Sequence, residues 1–400
     1  VSRLHRAALA LGAALALVAA TLVAAPAAQA ATVSFAMVAS QPEFRPGEGV
    51  VVSGRVQRGS SAWTSVPVQL VAVPARGDKF VAYSGRTNSS GRFAFPVNPR
   101  NTTRYYLRTM TSPRHTSDTV LVKWTDAAQS LTSRQAMVGS RLGAARGGVV
   151  TLSSADIRRT GDSGVSSARY RTYERGMLVE VVRSGARRTW FVNGQIATRY
   201  RSTGGPTGTF GLPRQDGQCL EVEQGCTQQF SKVNAYASAT TSQASYQAGG
   251  GKRAQYLAVA RSQVGYDEPS WRRSKYNAYF GYSSAWCGTF QSWVSDASGT
   301  EVLPTRSTFE GFVKAVKRDL VTYKPGSGRS PRVGTLVFFD FRNSRPTTAS
   351  HVGVLISRSG STLTLVEGNS SVGSTFTSDR GVYVHQRSAS RVLFYADPDW

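Results

Sequence analysis

His351-Val-Gly-Val-Leu-Ile-Ser-Arg-Ser-Gly-Ser-Thr-Leu-Thr-Leu-Val-Glu367-Gly-Asn369 reads as two strands folded back on a tight turn. Apolar runs flank Arg358-Ser-Gly-Ser361, a cluster of turn-forming residues. A turn centred on Ser359 sets His351 opposite Glu367, and a two-residue loop at Ser359-Gly360 shifts the pairing by one. Either way Glu367 and Asn369 come within reach of His351. Being two apart in a strand, they should share one sheet face. A carboxylate or amide there holds an imidazole in one orientation and tautomer, as a proton shuttle requires.

Around this hairpin the C-terminal part places helices first and strands after. Leu257, Ala260 and Val264 give Ala254 to Val264 a helical stripe that ends at Gly265. Ser307-Thr-Phe-Glu310 has the form of a capping box ahead of Phe309, Phe312, Val313 and Val316. Strand-like runs follow at Gly334-Thr-Leu-Val-Phe-Phe339, Thr362-Leu-Thr-Leu-Val366, Val382-Tyr-Val384 and Val392-Leu-Phe-Tyr395. That order predicts an α+β domain over 252–400.

The chain has three cysteines and four histidines. Cys219 and Cys226 lie seven apart in a turn-rich segment and are expected to pair in an oxidising compartment. A zinc site is the other reading, but no His or further Cys lies nearby. Cys287 is left as a lone thiol. It sits in Ser283-Ser-Ala-Trp-Cys-Gly288, where Ser283 or Ser284 can cap a helix that Gly299 can end. Trp286, Phe290, Trp293 and Ala297 form its buried stripe, and Gly288 should leave room for a substrate at the sulfur. Unpaired N–H groups of a first helical turn favour a thiolate. Of the histidines, His5 lies in the leader and His115 in another region. His351 and His385 remain as the base, with His385 on what reads as an ordinary strand.

Trp286-Cys287-Gly288, His351-Val-Gly-Val354 and Val366-Glu-Gly-Asn369, with Pro331-Arg-Val-Gly-Thr-Leu-Val-Phe-Phe339 before the histidine, resemble the signature regions of the CHAP family, the cysteine, histidine-dependent amidohydrolases/peptidases. The resemblance covers roughly residues 253–396. It implies a papain-like fold and acyl transfer without metal or cofactor. Cys287 would be the nucleophile, His351 the general base and then acid, Glu367 the orienter of His351, and Asn369 an aid to that orientation. Gln263 is a candidate for the oxyanion hole from position alone. Where the family usually has Asp, this chain has Thr335.

Upstream, Arg3 and Arg6, the apolar run Ala7 to Ala25 and Ala28-Gln29-Ala30 have the order of a cleaved signal peptide over 1–30; an uncleaved anchor is the alternative. No later stretch is apolar enough to span a bilayer, so a secreted or wall-associated product without a membrane span is expected. Short alternating strands at Val66-Pro-Val-Gln-Leu-Val-Ala-Val73, Arg92-Phe-Ala-Phe95, Tyr105-Tyr-Leu107 and Thr119-Val-Leu-Val122 predict an immunoglobulin-like β-sandwich over 33–125. Trp190-Phe-Val-Asn-Gly-Gln-Ile196 and Phe210-Gly-Leu-Pro213 resemble LGFP repeats of wall proteins, which makes 130–237 a Gly-rich β region for wall binding. A plain Gly-rich β domain with an aromatic core is the alternative. The composition of 238–251 is that of a flexible linker.

The formal net charge is +25, with +15 over 31–251 (27 basic, 12 acidic) and +8 after it. Such a field calls for a polyanionic partner. The basic residues are scattered and no nucleic-acid motif is visible, so anionic wall polymers and peptidoglycan are favoured over nucleic acid. A monomeric secreted hydrolase of peptidoglycan amide bonds is the reading these features support, either a muramoyl-alanine amidase or a peptide endopeptidase. A non-catalytic wall-binding or adhesion protein with a degenerate domain, or a thiol transacylase, are the alternatives.

Overall fold

The computed structural model describes residues 31–40, 43–44, 50–97, 99, 101–124, 130–219, 222–341, 348–371 and 380–400. The leader expected over 1–30 lies outside them. The chain is β-rich, built on several largely antiparallel sheets. No helix among the described residues is long and apolar enough to cross a membrane.

Residues 33–124 form two sheets that close on one core. Val50, Val52 and Val56 from one sheet meet Val68, Leu70, Tyr105, Leu107 and Val122 from the other. The alternation read from the sequence is the reason: in Thr103–Thr109, Thr103, Tyr105, Leu107 and Thr109 are buried and the residues between them are not.

The next region has two further sheets. One contains Val150–Thr151, Val165–Tyr173, Gly176–Arg183 and Ala186–Asn193. The other contains Gln218–Cys219, Cys226–Gln229, Val233–Ala237 and Ser245–Ala248. Phe210 and Leu212, of the LGFP-like stretch, are fully buried against Tyr200, Phe230 and Tyr246. Gly211 between them has φ +75, and a Cβ there would meet the Ser231 hydroxyl at 2.0 Å and the Thr160 carbonyl at 2.5 Å. These aromatics make the region's own core.

One expectation changes here. Within 238–251, Ser245–Ala248 is an edge strand paired to Val233–Ala237, and Ala244 is buried. Strand pairing uses main-chain groups, so a Ser-, Thr- and Gly-rich composition does not forbid it. Cys219 and Cys226 are directly opposite across two strands. That register is what a bridge between neighbouring strands needs, and we propose that one forms. Closing so short a loop stabilises by roughly 2–3 kcal/mol in the chain-entropy model. Thiol titration of the unfolded, unreduced chain should then count one thiol; three would refute the bridge.

The C-terminal region starts with helices α1 (Gly251–Ser262), α2 (Lys275–Phe280), α3 (Cys287–Ala297) and α4 (Phe309–Asp319). Its sheet contains β1 (Val321–Tyr323), β2 (Leu336–Phe339), β3 (His351–Ser359), β4 (Thr362–Ser370), β5 (Gly381–Ser388) and β6 (Val392–Asp397), in the order β1-β6-β2-β3-β4-β5. All neighbours are antiparallel. The cap of α4 is Thr308, whose side chain accepts from the Gly311 N–H, rather than Ser307 as the capping-box pattern suggests.

α3 is buried along all eleven of its residues, not on a stripe alone. Several of its polar groups find partners within the fold, although Gln291 Nε2 and Asp296 Oδ2 make no hydrogen bond with a described residue. Ser292 Oγ donates to the Pro304 carbonyl, Ser295 Oγ accepts from the Val302 N–H, and Gln291 Oε1 accepts from the Tyr256 hydroxyl. At its far end Asp296 lies 3.4 Å from Arg92 of the N-terminal sheets. Burial pushes that carboxyl up to about 6, with Arg92 pulling the other way. Glu223 of the middle region pairs with Lys275 of α2. Desolvation offsets much of the Coulombic gain of such pairs, so they are weak evidence of stability.

Candidate active site

Cys287 is the first residue of α3, preceded by Trp286 in a non-helical conformation with no side-chain cap. The first intrahelical bond reaches back from the Phe290 N–H to the Trp286 carbonyl. The earlier N–H groups therefore lack intrahelical partners and crowd the sulfur with partial positive charge. Trp286 anchors this end: it is fully buried and stacks on Tyr276 at 5.1 Å.

Neither Ser283 nor Ser284 caps α3; Ser284 Oγ donates to the Ser307 carbonyl instead. Gly288 has a different role from the one its size suggests. A Cβ there would come within 2.9 Å of Phe312 and 3.2 Å of Phe309. The space above it belongs to α4, not to a substrate.

β3 brings His351 to this helix start. The imidazole is hydrogen-bonded to the Cys287 side chain and its Nε2 is 3.0 Å from Glu367 Oε2. All three side chains are almost completely shielded from solvent. Among the described residues Cys287 is the free cysteine.

The hairpin register differs from both expected forms. Ser359 pairs with Thr362 around a Gly360-Ser361 turn, and a bulge follows between Leu355 and Ser357. Glu367 is thereby opposite Gly353, one diagonal from His351. The absence of a side chain at Gly353 permits this, since a Cβ there would sit 2.8 Å from Glu367 Cγ.

Asn369 does not share Glu367's place in the ladder. It is the extra residue of a bulge between Gly368 and Ser370 and has φ +56. Its Oδ1 is buried without a hydrogen bond to a described residue. The face-sharing argument fails because a bulge breaks the period of two. Gln263 is also placed otherwise: its amide accepts from the Tyr276 hydroxyl and donates toward Ser262 and Glu223. His385 stands opposite Leu365 on β5, with its hydrogen bond to the Ser371 backbone. Burial holds its pKa below the usual imidazole range.

Arg387 is the member the sequence reading missed. It donates from Nε to Glu367 Oε1 at 2.9 Å and from Nη2 to Oε2 at 2.7 Å, a two-point clamp. Its guanidinium also lies over the Phe341 ring at 5.0 Å, and that ring is 5.7 Å from His351. The available signal was its alternation with His385 and Tyr383 on one strand, which the apolar pattern of β5 does not extend to.

Two opposed effects set the charges. Burial alone would drive the His351 pKa down, but the Glu367 charge and the bonds to Cys287 and Glu367 outweigh it and raise it to about 9. Burial would likewise raise Glu367, and His351 with Arg387 lowers it to about 2. At neutral pH the group therefore holds imidazolium beside sulfur and carboxylate, the ionisation a thiol acyl-transfer centre uses. Thr335 is buried and its hydroxyl donates to Asp397 Oδ1 at 2.6 Å, so a carboxylate is present at that point from β6.

No family model matches the chain, and no curated protein does. Among solved structures it is similar to Spo0M, a sporulation control protein from Bacillus subtilis, at 13% identity over 40% of this chain and 83% of that one, with a TM-score of 0.17. A likeness that slight carries nothing about fold or function.

Proposed function

We propose that the chain is a secreted peptidoglycan hydrolase of CHAP type, with a papain-like domain over 252–400 that cuts wall amide bonds. The observation that carries the reading is the contiguity of Cys287, His351 and Glu367, buried and in hydrogen-bond contact from three separate elements. A cysteine at a helix start beside an ion-paired histidine is the environment that activates a thiol for chemistry.

The Cys287 thiolate attacks the amide carbonyl carbon, and the backbone N–H of Cys287 stabilises the oxyanion. His351 gives its proton to the departing amine as the C–N bond breaks. Water, deprotonated by the now neutral His351, attacks the thioester and regenerates the sulfur anion. Glu367 keeps the ring oriented and charged, and Arg387 keeps Glu367 ionised. The upstream regions, with their +15 charge over 31–251, would hold the enzyme against an anionic wall.

The test is digestion of purified sacculi followed by mass spectrometry of the soluble products. Fragments bearing new amino termini, absent after alkylation of the chain with iodoacetamide, are expected, and their structure separates amidase from endopeptidase. Sacculi that release nothing soluble would reject the reading.

A further inference from the structure

A cavity of roughly 760 Å³ opens on the C-terminal region between α4, β1, β6 and the residues that lead into β3. Val313, Leu393 and Phe394 give it an apolar wall, while Lys317 and Lys324 bring two positive charges. Among the described residues no Asp or Glu lines it. Neither lysine makes an ion pair with a described residue. Lys317 is steadied instead by the Phe394 ring, 4.8 Å from its Nζ.

The cavity shares one end of the sheet with the imidazole. Val392, in its lining, pairs with Phe339, and Phe339 pairs with His351. Two strand spacings separate Val392 from His351, about 10 Å. Ala349, also in the lining, is two residues ahead of His351. An extended peptide covers such a span in about three residues.

We infer that this groove is a specificity subsite for an acidic peptide. Resting on the hydrolase reading above, it would seat a carboxylate about three residues from the cut amide, between Lys317 and Lys324. The apolar wall would hold small aliphatic side chains beside it. An ammonium pair discriminates carboxylate from carboxamide because only the charged group returns the cost of leaving water. For two exposed lysines acting together the preference should be on the order of ten-fold.

The experiment has a binding arm and a turnover arm. In the first, the full chain carrying Cys287→Ala is titrated calorimetrically with acetyl-Ala-Ala-Ala-Glu-Ala-Ala-amide and with its Gln counterpart. The Glu peptide should bind about ten-fold more tightly. Lys317→Gln with Lys324→Gln should remove the difference, and Lys317→Arg with Lys324→Arg should keep it. Equal affinity, or none, overturns the subsite. In the second arm the unsubstituted chain is given sacculi with free carboxyls or with carboxyls converted to carboxamides, and slower release from the second is expected. Discrimination in binding without any cleavage would leave the subsite standing and remove the hydrolase reading. Cleavage without discrimination would do the reverse.

Discussion

Cys287→Ala is expected to lower release of soluble wall fragments by at least about 10⁴-fold, the scale seen when a nucleophile is removed from a hydrolytic triad. The residual rate should not respond to alkylating reagents. The fold should survive, because the change removes one atom from a site where Trp286, Phe290 and Phe312 supply the packing. A thermal midpoint within a few degrees of the parent checks that point. A second readout does not depend on turnover. Part of what raises His351 toward 9 is the bond to Cys287, so the imidazole should titrate at lower pH in the variant by NMR. Unchanged wall clearance would remove the nucleophile assignment. Lost clearance with an unmoved His351 titration would separate the sulfur from the imidazole.

Glu367→Gln should cost both activity and stability, because it removes the charge on which two cations depend. His351 would keep its burial, which lowers its pKa, and lose the carboxylate that raises it. The alkaline limb of kcat/KM, expected near pH 9 in the parent, should therefore move to lower pH. Arg387, mostly buried, would face a neutral amide. Leaving such a charge unpaired costs about 3–5 kcal/mol.

The signs of the pH dependence follow from the two shifts. His351 is raised, so its contribution is complete below the usual imidazole range and is lost as pH rises through about 9. Glu367 is lowered, so its contribution is complete above the usual carboxylate range and is lost as pH falls through about 2. Between those ranges the pair gives its full stabilisation, and denaturant unfolding of parent and variant should differ most there. A variant with the parent's pH profile would show that Glu367 does not control the imidazole.

The candidate residues were legible because each carries a local signature. Cys287 stands at a helix start marked by the buried periodicity of Trp286, Phe290 and Trp293, and helix starts are read from a few neighbouring residues. His351 and Glu367 lie on adjacent strands joined by a short turn, so a period of two brings them near each other. The turn's position was misplaced by one or two residues because Ser359, Gly360 and Ser361 all suit a tight loop. Bulges at Ile356 and Asn369 then changed which residues oppose which. A bulge needs only one extra residue, and apolar alternation does not announce it.

Sequence alone determined the elements: the strands that alternate, the helix that presents a sulfur, and the excess of positive charge. These depend on interactions within a few residues. Only the tertiary structure decided the contacts between distant segments. It brought Arg387 onto Glu367, gave Gly288 to the rings of α4, tied Gln263 to Tyr276, and wove Ser245–Ala248 into a sheet. The physical reason is that a side chain's partner is whatever packing places beside it. Twenty residues on, or two hundred, the chain carries no periodic trace of that choice.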